Sequence, residues 1–320
     1  MRIINCCGYG NTGCTAQTDF LYDHRGVVGA LKPFHELGFL KCRYSFGGMM
    51  LSRLQSWDFH PTKDQVRRSL LGEQPDPDNP IDGGAAAHLH LRSLLHKQYG
   101  DVYPGIVDAA MELIPADYAS LSVRRLVPIF REAVGQFVRG LISNIQPGHF
   151  FAGEFDPETS VIGFKNDPPG AFPIFSTFLL GGQTSAIIRD PRDTTYDFNR
   201  HYNLGHTMDT VKQHTRHYNA QLNSARHQIE QFGRIIQPFY KVIEFERLIR
   251  EEDYRIAYRN LMVGERERVR DRFDPSKSAA NLGHHSNMEP EFIDYVTEAC
   301  MQNYLDFKAF LEKRDMMLVV

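Results

Sequence analysis

The chain lacks any apolar run of about 18 residues, the least a membrane-spanning helix needs, so no span is expected. It also lacks an excess of either charge. Lys and Arg number 36 against 39 Asp and Glu, and the formal net charge is −3. No global basic field therefore argues for nucleic acid. Cysteine is scarce: five residues, an odd count without metal-like spacing. That speaks against a disulfide framework or a zinc site and for a reduced, cytoplasmic protein. The first residues enter an apolar run at once, with no charged n-region, so no signal peptide is expected. There is no internal repeat and no low-complexity tract. What is present is the mixture of an ordinary globular protein, 42% hydrophobic and 23% charged. At 320 residues it has room for one large α/β domain or two small ones.

The most informative stretch is Gly8-Tyr9-Gly10-Asn11-Thr12-Gly13-Cys14-Thr15. Ile3, Ile4, Cys6 and Cys7 lead into it as a short strand, on which adjacent Cys6 and Cys7 point to opposite faces. A segment with helical spacing, Ala16 to Phe20 and Leu21, leads out. Strand, glycine-rich turn and helix aim backbone N–H groups and the positive end of a helix dipole at an anion. The glycines allow positive φ and close backbone approach. Three kinds of loop are in play. Gly8, Gly10 and Gly13 spell the dinucleotide G-x-G-x-x-G, but residues 23–30 offer no clean strand ending in the acidic residue that motif wants. The ATP-binding G-x-x-x-x-G-K-[ST] is excluded in its usual form, because Cys14 stands where its lysine belongs. The third kind is a loop for a phosphosulfate.

Residues from about 45 to 148 read differently from the rest. A turn-rich stretch, Glu73 to Pro80, is followed by Gly83-Gly84 and helical patterns at 85–98 and 126–142. In the second pattern Ile129, Ala133, Phe137 and Leu141 make one apolar face. A mostly helical insertion or cap is expected here. Beyond it, Ser160–Phe164 reads as a strand ending in Lys165-Asn166-Asp167-Pro168-Pro169, and the prolines stop it. Ser185–Ile188 is another strand, ending in a charged turn, Arg189-Asp190-Pro191-Arg192-Asp193. That turn is either a self-paired salt-bridge cluster or an Arg fork for phosphate. In parallel sheets, ligands sit beyond the carboxyl ends of strands. Gly205–Ile236 predicts a long amphipathic helix, with His214, His217 and His227 on a solvated basic face. Tyr240–Phe245 predicts a core strand, Glu246–Leu261 a helix, and Pro290–Glu312 a last helix after a Ser-, Lys- and Asn-rich loop. His284-His285 is too isolated for a metal site.

Together these pieces resemble the sulfotransferases that use 3′-phosphoadenosine-5′-phosphosulfate (PAPS), in particular divergent bacterial-type members, whose acceptors are often sugars. The family opens with a strand, a loop like G-x-x-[KR]-[ST]-G-[ST]-[ST] and a helix, to which Gly8–Thr15 is similar. A central strand ends in a pattern like R-[DN]-P-[RK]-D, matched by Arg189–Asp193. A later strand plus Glu resembles Val242 to Leu248, and a nucleotide-closing loop resembles Lys277 to Gly283. The likeness covers residues 1–25 and about 160–310.

The resemblance implies an α/β fold: a three-layer α/β/α P-loop-type parallel sheet in a single domain, 1–320, with the helical insertion at about 45–148. It implies transfer of a sulfuryl group from PAPS to a hydroxyl acceptor, a saccharide among the candidates, without a metal. Partners are then a small-molecule nucleotide and the acceptor. Gly10, Asn11, Thr12, Gly13, Cys14 and Thr15 would hold the 5′-phosphosulfate, and Arg189 the 3′-phosphate. Lys277 and Asn281 would belong to the closing loop. Asp167, two residues after Lys165, would be the base. Two departures matter. Asn11 stands where the family usually has a cation, so Lys165 is the expected replacement. Asp197 stands where a phosphate-binding serine is common and would repel phosphate; Thr194 or Thr195 could substitute only if the turn differs. A catalytically weak nucleotide-binding protein of the same fold and a dinucleotide-dependent oxidoreductase remain as alternatives.

Overall fold

The computed structural model describes residues 2–9, 12–30, 44–54, 60–73, 95–144, 151–152, 160–166 and 182–320. Gly10, Asn11, Asp167, the 73–80 turn beyond Glu73 and most of the 85–98 helical pattern lie outside the described residues. The elements, in chain order, begin with β1 (Arg2–Gly8), α1 (Cys14–Tyr22), β2 (Val27–Ala30), α2 (Phe46–Leu54) and α3 (Lys63–Leu70). Then come α4 (Val102–Glu112), α5 (Val123–Ser143), β3 (Phe151–Ala152), β4 (Val161–Asn166), β5 (Gln183–Ile188), α6 (Pro191–His201) and α7 (Met208–Ile236). The chain closes with β6 (Tyr240–Glu244), α8 (Phe245–Arg250), α9 (Glu252–Met262), α10 (Pro275–Ala279), α11 (Pro290–Val296) and α12 (Gln302–Glu312). The fold is α/β. By contacts the chain divides into two compact units: Met1–Ile3, Val28–Phe164 and Phe175–Gly182 in the first; Ile4–Val27, Lys165–Ile174 and Gln183–Val320 in the second.

The first unit contains the helices of the 45–148 stretch. α5 buries the stripe Leu126, Phe130, Ala133, Phe137 and Leu141, while Ile129, expected on that face, is half-buried. Phe137 meets Phe46 of α2 and Tyr103 of α4 at 5.8 and 6.4 Å between ring centroids. Gly140 lets α4 approach closely, since a Cβ there would stand 2.7 Å from Ile106. Thr62 caps α3 with a full capping box. In the same unit β2 pairs antiparallel with β3. β2 ends at Ala30 and not at an acidic residue, so the segment lacks the acid-terminated strand that a dinucleotide fingerprint wants.

In the second unit β5 lies between β1 and β6, parallel to both. Period-2 alternation sends Cys6 and Ser185 to one face and Cys7 and Tyr240 to the other. On the first face a buried polar chain fixes the helices. Gln17 of α1 donates to the Cys7 carbonyl at 2.8 Å, Ser185 donates to Gln17 at 3.1 Å, and Tyr258 of α9 donates to Ser185 at 3.0 Å. On the other face Tyr9 shares a 2.9 Å hydrogen bond with Tyr240 and packs on Phe307 of α12. Helices thus cover both faces, a three-layer α/β/α arrangement. The edge of β6 is covered by the C-terminal segment, through Val242 N to Met316 O at 2.8 Å and Leu318 N to Val242 O at 2.9 Å.

Two helices differ from the sequence reading. The expected 246–261 helix is two, because Glu251 has extended dihedrals between α8 and α9; the buried positions of α9 are Tyr254, Tyr258 and Met262, and Ile256 is exposed. The last helix is continuous but carries a π turn at Thr297–Met301 between α11 and α12. Asn219 of α7 reaches into it, donating to the Ala299 carbonyl at 2.7 Å.

Candidate functional site: a cavity at the start of the first helix

Gly8, which ends β1, and Gly13 stand where a side chain has no room. Gly13 adopts φ +98°, and a Cβ on it would stand 2.2 Å from the Phe245 ring. A Cβ on Gly8 would stand 2.2 Å from the Thr12 hydroxyl. The turn therefore folds tightly against β5 and the start of α8, and α1 begins at Cys14. No acidic residue stands in the first turn of α1, so nothing in that turn neutralises its amino-terminal N–H groups. Thr12 is 1% exposed, and its hydroxyl has no hydrogen-bond partner among the described residues. A buried hydroxyl left unpaired is costly, and such groups mark places where a ligand or water completes the set.

This end of α1 opens on a cavity of about 780 Å³ within the second unit. Of the residues expected at a site, Thr12, Gly13, Cys14, Thr15, Lys165, Arg189, Lys277 and Asn281 all line it. Gly10, Asn11 and Asp167 lie outside the described residues. The cavity also takes in Asp19, Arg272 and Phe273, which the sequence reading did not single out. Asp19 belongs to α1 itself; Arg272 and Phe273 arrive through Asp23, a carboxylate with no exposure just past α1. Asp23 accepts from the backbone N–H groups of Arg272 and Phe273 at 2.7 and 3.2 Å and pairs with Arg268 at 2.8 Å. Residues 268–273 are thereby stitched to the end of α1, and Arg272 pairs with Asp19 at 3.2 Å. One sequence signal pointed to Asp19: it lies four residues after Thr15, on the same helical face.

The Arg189 end is built differently. Asp190 caps α6 and pairs with Arg192 at 2.6 Å, so half of the charged turn is the self-paired cluster considered above. Arg189 is not part of that surface pair. Its side chain is 2% exposed, lies 4.9 Å over the Phe245 ring, and donates to the Asn281 carbonyl. Asp197 pairs with it at 2.5 Å and Asp193 at 3.6 Å. Asp197, expected only to repel a phosphate, is thus the partner of the arginine that would bind one. The same carboxylates hold the loop after α10. His284 bonds to Asp197 and His285 to Asp193, each at 2.7 Å. Burial works against the Asp193 carboxylate, but the His285 backbone and imidazole, the Gly283 N–H and Arg189 together hold its pKa below the usual range. Thr194 and Thr195 are spent within α6, donating to the carbonyls of Asp190 and Pro191. Lys277 is exposed and lies 3.7 Å from Asp274.

His214, expected on a solvated face of α7, is instead 2% exposed. Because the Thr195 hydroxyl donates to Pro191, the 2.9 Å contact requires His214 Nδ1–H to donate to Thr195. Burial, with nearby His217, pulls its pKa down to about 3, so it stays neutral at physiological pH. Among the described residues no group of three or more His, Cys, Asp or Glu side chains could hold a metal ion. No helix among them is long and apolar enough to cross a membrane. No protein family, curated protein or solved structure matches the chain.

Proposed function

We propose that the protein is a PAPS-dependent sulfotransferase that moves a sulfuryl group to a hydroxyl acceptor, with saccharides as the first class to test. The observation that carries the reading is the unpartnered, buried Thr12 hydroxyl beside the un-neutralised start of α1, opening on a cavity. Such an end suits a phosphate-type anion. In-line sulfuryl transfer, like phosphoryl transfer, needs positioning and charge stabilisation more than covalent chemistry. Thr12 to Thr15 would grip the 5′-phosphosulfate. Lys165 lines the cavity within electrostatic reach of Asp19 and would stabilise charge on the bridging oxygen. Arg189 would take the 3′-phosphate by exchanging Asp197 for it, and the loop of Lys277 and Asn281 would close over the nucleotide. Calorimetry with adenosine-3′,5′-bisphosphate and with NAD tests the binding half: the bisphosphate should bind and NAD should not. Transfer of ³⁵S from labelled PAPS to a panel of monosaccharides tests the chemistry.

A second reading, a nucleotide-binding protein with little or no catalysis, is favoured by one observation. Arg189 already has carboxylate and carbonyl partners. Bisphosphate binding without any sulfate transfer would select it.

A further inference from the structure

Past Thr12 and Gly13, the residues of α1 that line the cavity are Cys14, Thr15, Ala16 and Asp19. Thr15 and Asp19 are four residues apart, one above the other on one helical face, and about 6 Å apart along the axis. The near end of this stripe attracts anions; Asp19 repels them, so it lies past any phosphosulfate seated on the loop. Its side chain is 27% exposed. The charged groups that face it are Arg272 at 3.2 Å, Asp23 one turn further along the chain, and Lys165. Burial pushes the Asp19 carboxyl up, while Arg272 and Lys165 pull it down; the net direction is upward. A carboxylate of raised basicity that faces a cavity beside an anion loop suits proton acceptance.

Resting on the sulfotransferase reading above, we propose that Asp19 is the carboxylate that receives the acceptor hydroxyl, with the acceptor lying along α1 between Thr15 and Asp19. Arg272 is its positioning residue, holding the carboxylate from the side of the 268–273 loop. In the step, the acceptor oxygen forms a bond to sulfur as its proton passes to Asp19. The sulfur–oxygen bond to the 5′-phosphate breaks, and the bridging oxygen leaves with the electron pair on the bisphosphate. Asp19 then takes the role that the strand-end pattern assigned to Asp167.

The test is Asp19→Asn, with Asp19→Glu beside it. Affinity for adenosine-3′,5′-bisphosphate should match wild type in both, which also shows that the loop is folded. With ³⁵S-labelled PAPS and the monosaccharide panel, kcat of Asp19→Asn should fall about a hundredfold or more at unchanged KM for PAPS. Asp19→Glu should keep part of the rate and shift the acid limb of the pH–rate profile, which a packing role would not do. Wild-type turnover in Asp19→Asn overturns the assignment, and so does loss of bisphosphate binding in that variant alone. If the wild-type protein binds no bisphosphate, or binds it and transfers sulfate to no acceptor, the underlying reading falls and takes this one with it.

Discussion

The two ends of the cavity are opposites. At the α1 end the protein leaves groups unsatisfied: the Thr12 hydroxyl has no hydrogen-bond partner among the described residues, and no carboxylate stands in the first helical turn. At the α6 end the arginine is already held: Arg189 is buried among Asp193, Asp197 and the Asn281 carbonyl. The first end has unmet hydrogen-bonding capacity to offer a ligand. The second end offers a ligand only what it can take from Asp197. A charged residue at a strand end is thus a different object according to what the fold has already set against it.

The largest effect is expected at the paired end. Asp197→Ala removes one partner of a buried arginine, and breaking such a pair costs about 3–5 kcal/mol; urea unfolding measures it. Under the proposed function, the same variant binds adenosine-3′,5′-bisphosphate more tightly, because the phosphate no longer competes with a carboxylate. Unchanged affinity would separate Arg189 from the ligand and leave the α6 end as scaffold. Next comes Gly13→Ala at the open end. Positive φ and collision with Phe245 together should cost about 2–4 kcal/mol, read as a lowered urea midpoint. A neutral result there would mean that the tight turn is not what shapes the proposed anion site.

A smaller effect follows from His214, behind the α6 end. Its folded pKa of about 3 lies below the ordinary 6.5, so the unfolded chain binds the extra proton first. Its contribution to stability is complete above the ordinary value and declines as pH falls from there toward about 3. One such group costs about 1.4 kcal/mol between pH 7.5 and 5.5. Urea unfolding at the two pH values checks this, and His214→Gln should remove that part of the slope. The smallest effect on stability is at Thr12. Thr12→Val deletes an unsatisfied hydroxyl and keeps the shape, so stability should hold or rise by up to about 1 kcal/mol. Bisphosphate affinity, read by calorimetry, should drop about tenfold, the loss of one hydrogen bond to a charged group. A loss of stability with unchanged affinity would reverse the contrast between the two ends.

Local pattern was enough for much of this. The apolar run into Gly8, the apolar strand read at 185–188, the core strand read at 240–245 and the 3.6-residue stripe of α7 all correspond to elements of the structure. So does the glycine at position 13, whose left-handed φ only glycine adopts freely. Glu251 broke a helix that periodicity had read as continuous, and His214 left the solvent face assigned to it. Arg189, legible as a strand-end arginine, acquired partners that no spacing announced.

By itself the sequence determined where several strands, the glycine-rich turn and the long helix lie, because periodicity and backbone freedom act over a few residues. Only the tertiary structure decided what stands opposite what. Asp23 meets Arg268 across 245 residues of chain, and that bond carries Arg272 to Asp19 and into the cavity. Arg189 meets Asn281 across 92 residues. Whether a charge is open to a ligand depends on such distant partners and on burial, and neither is a property of a short stretch of chain.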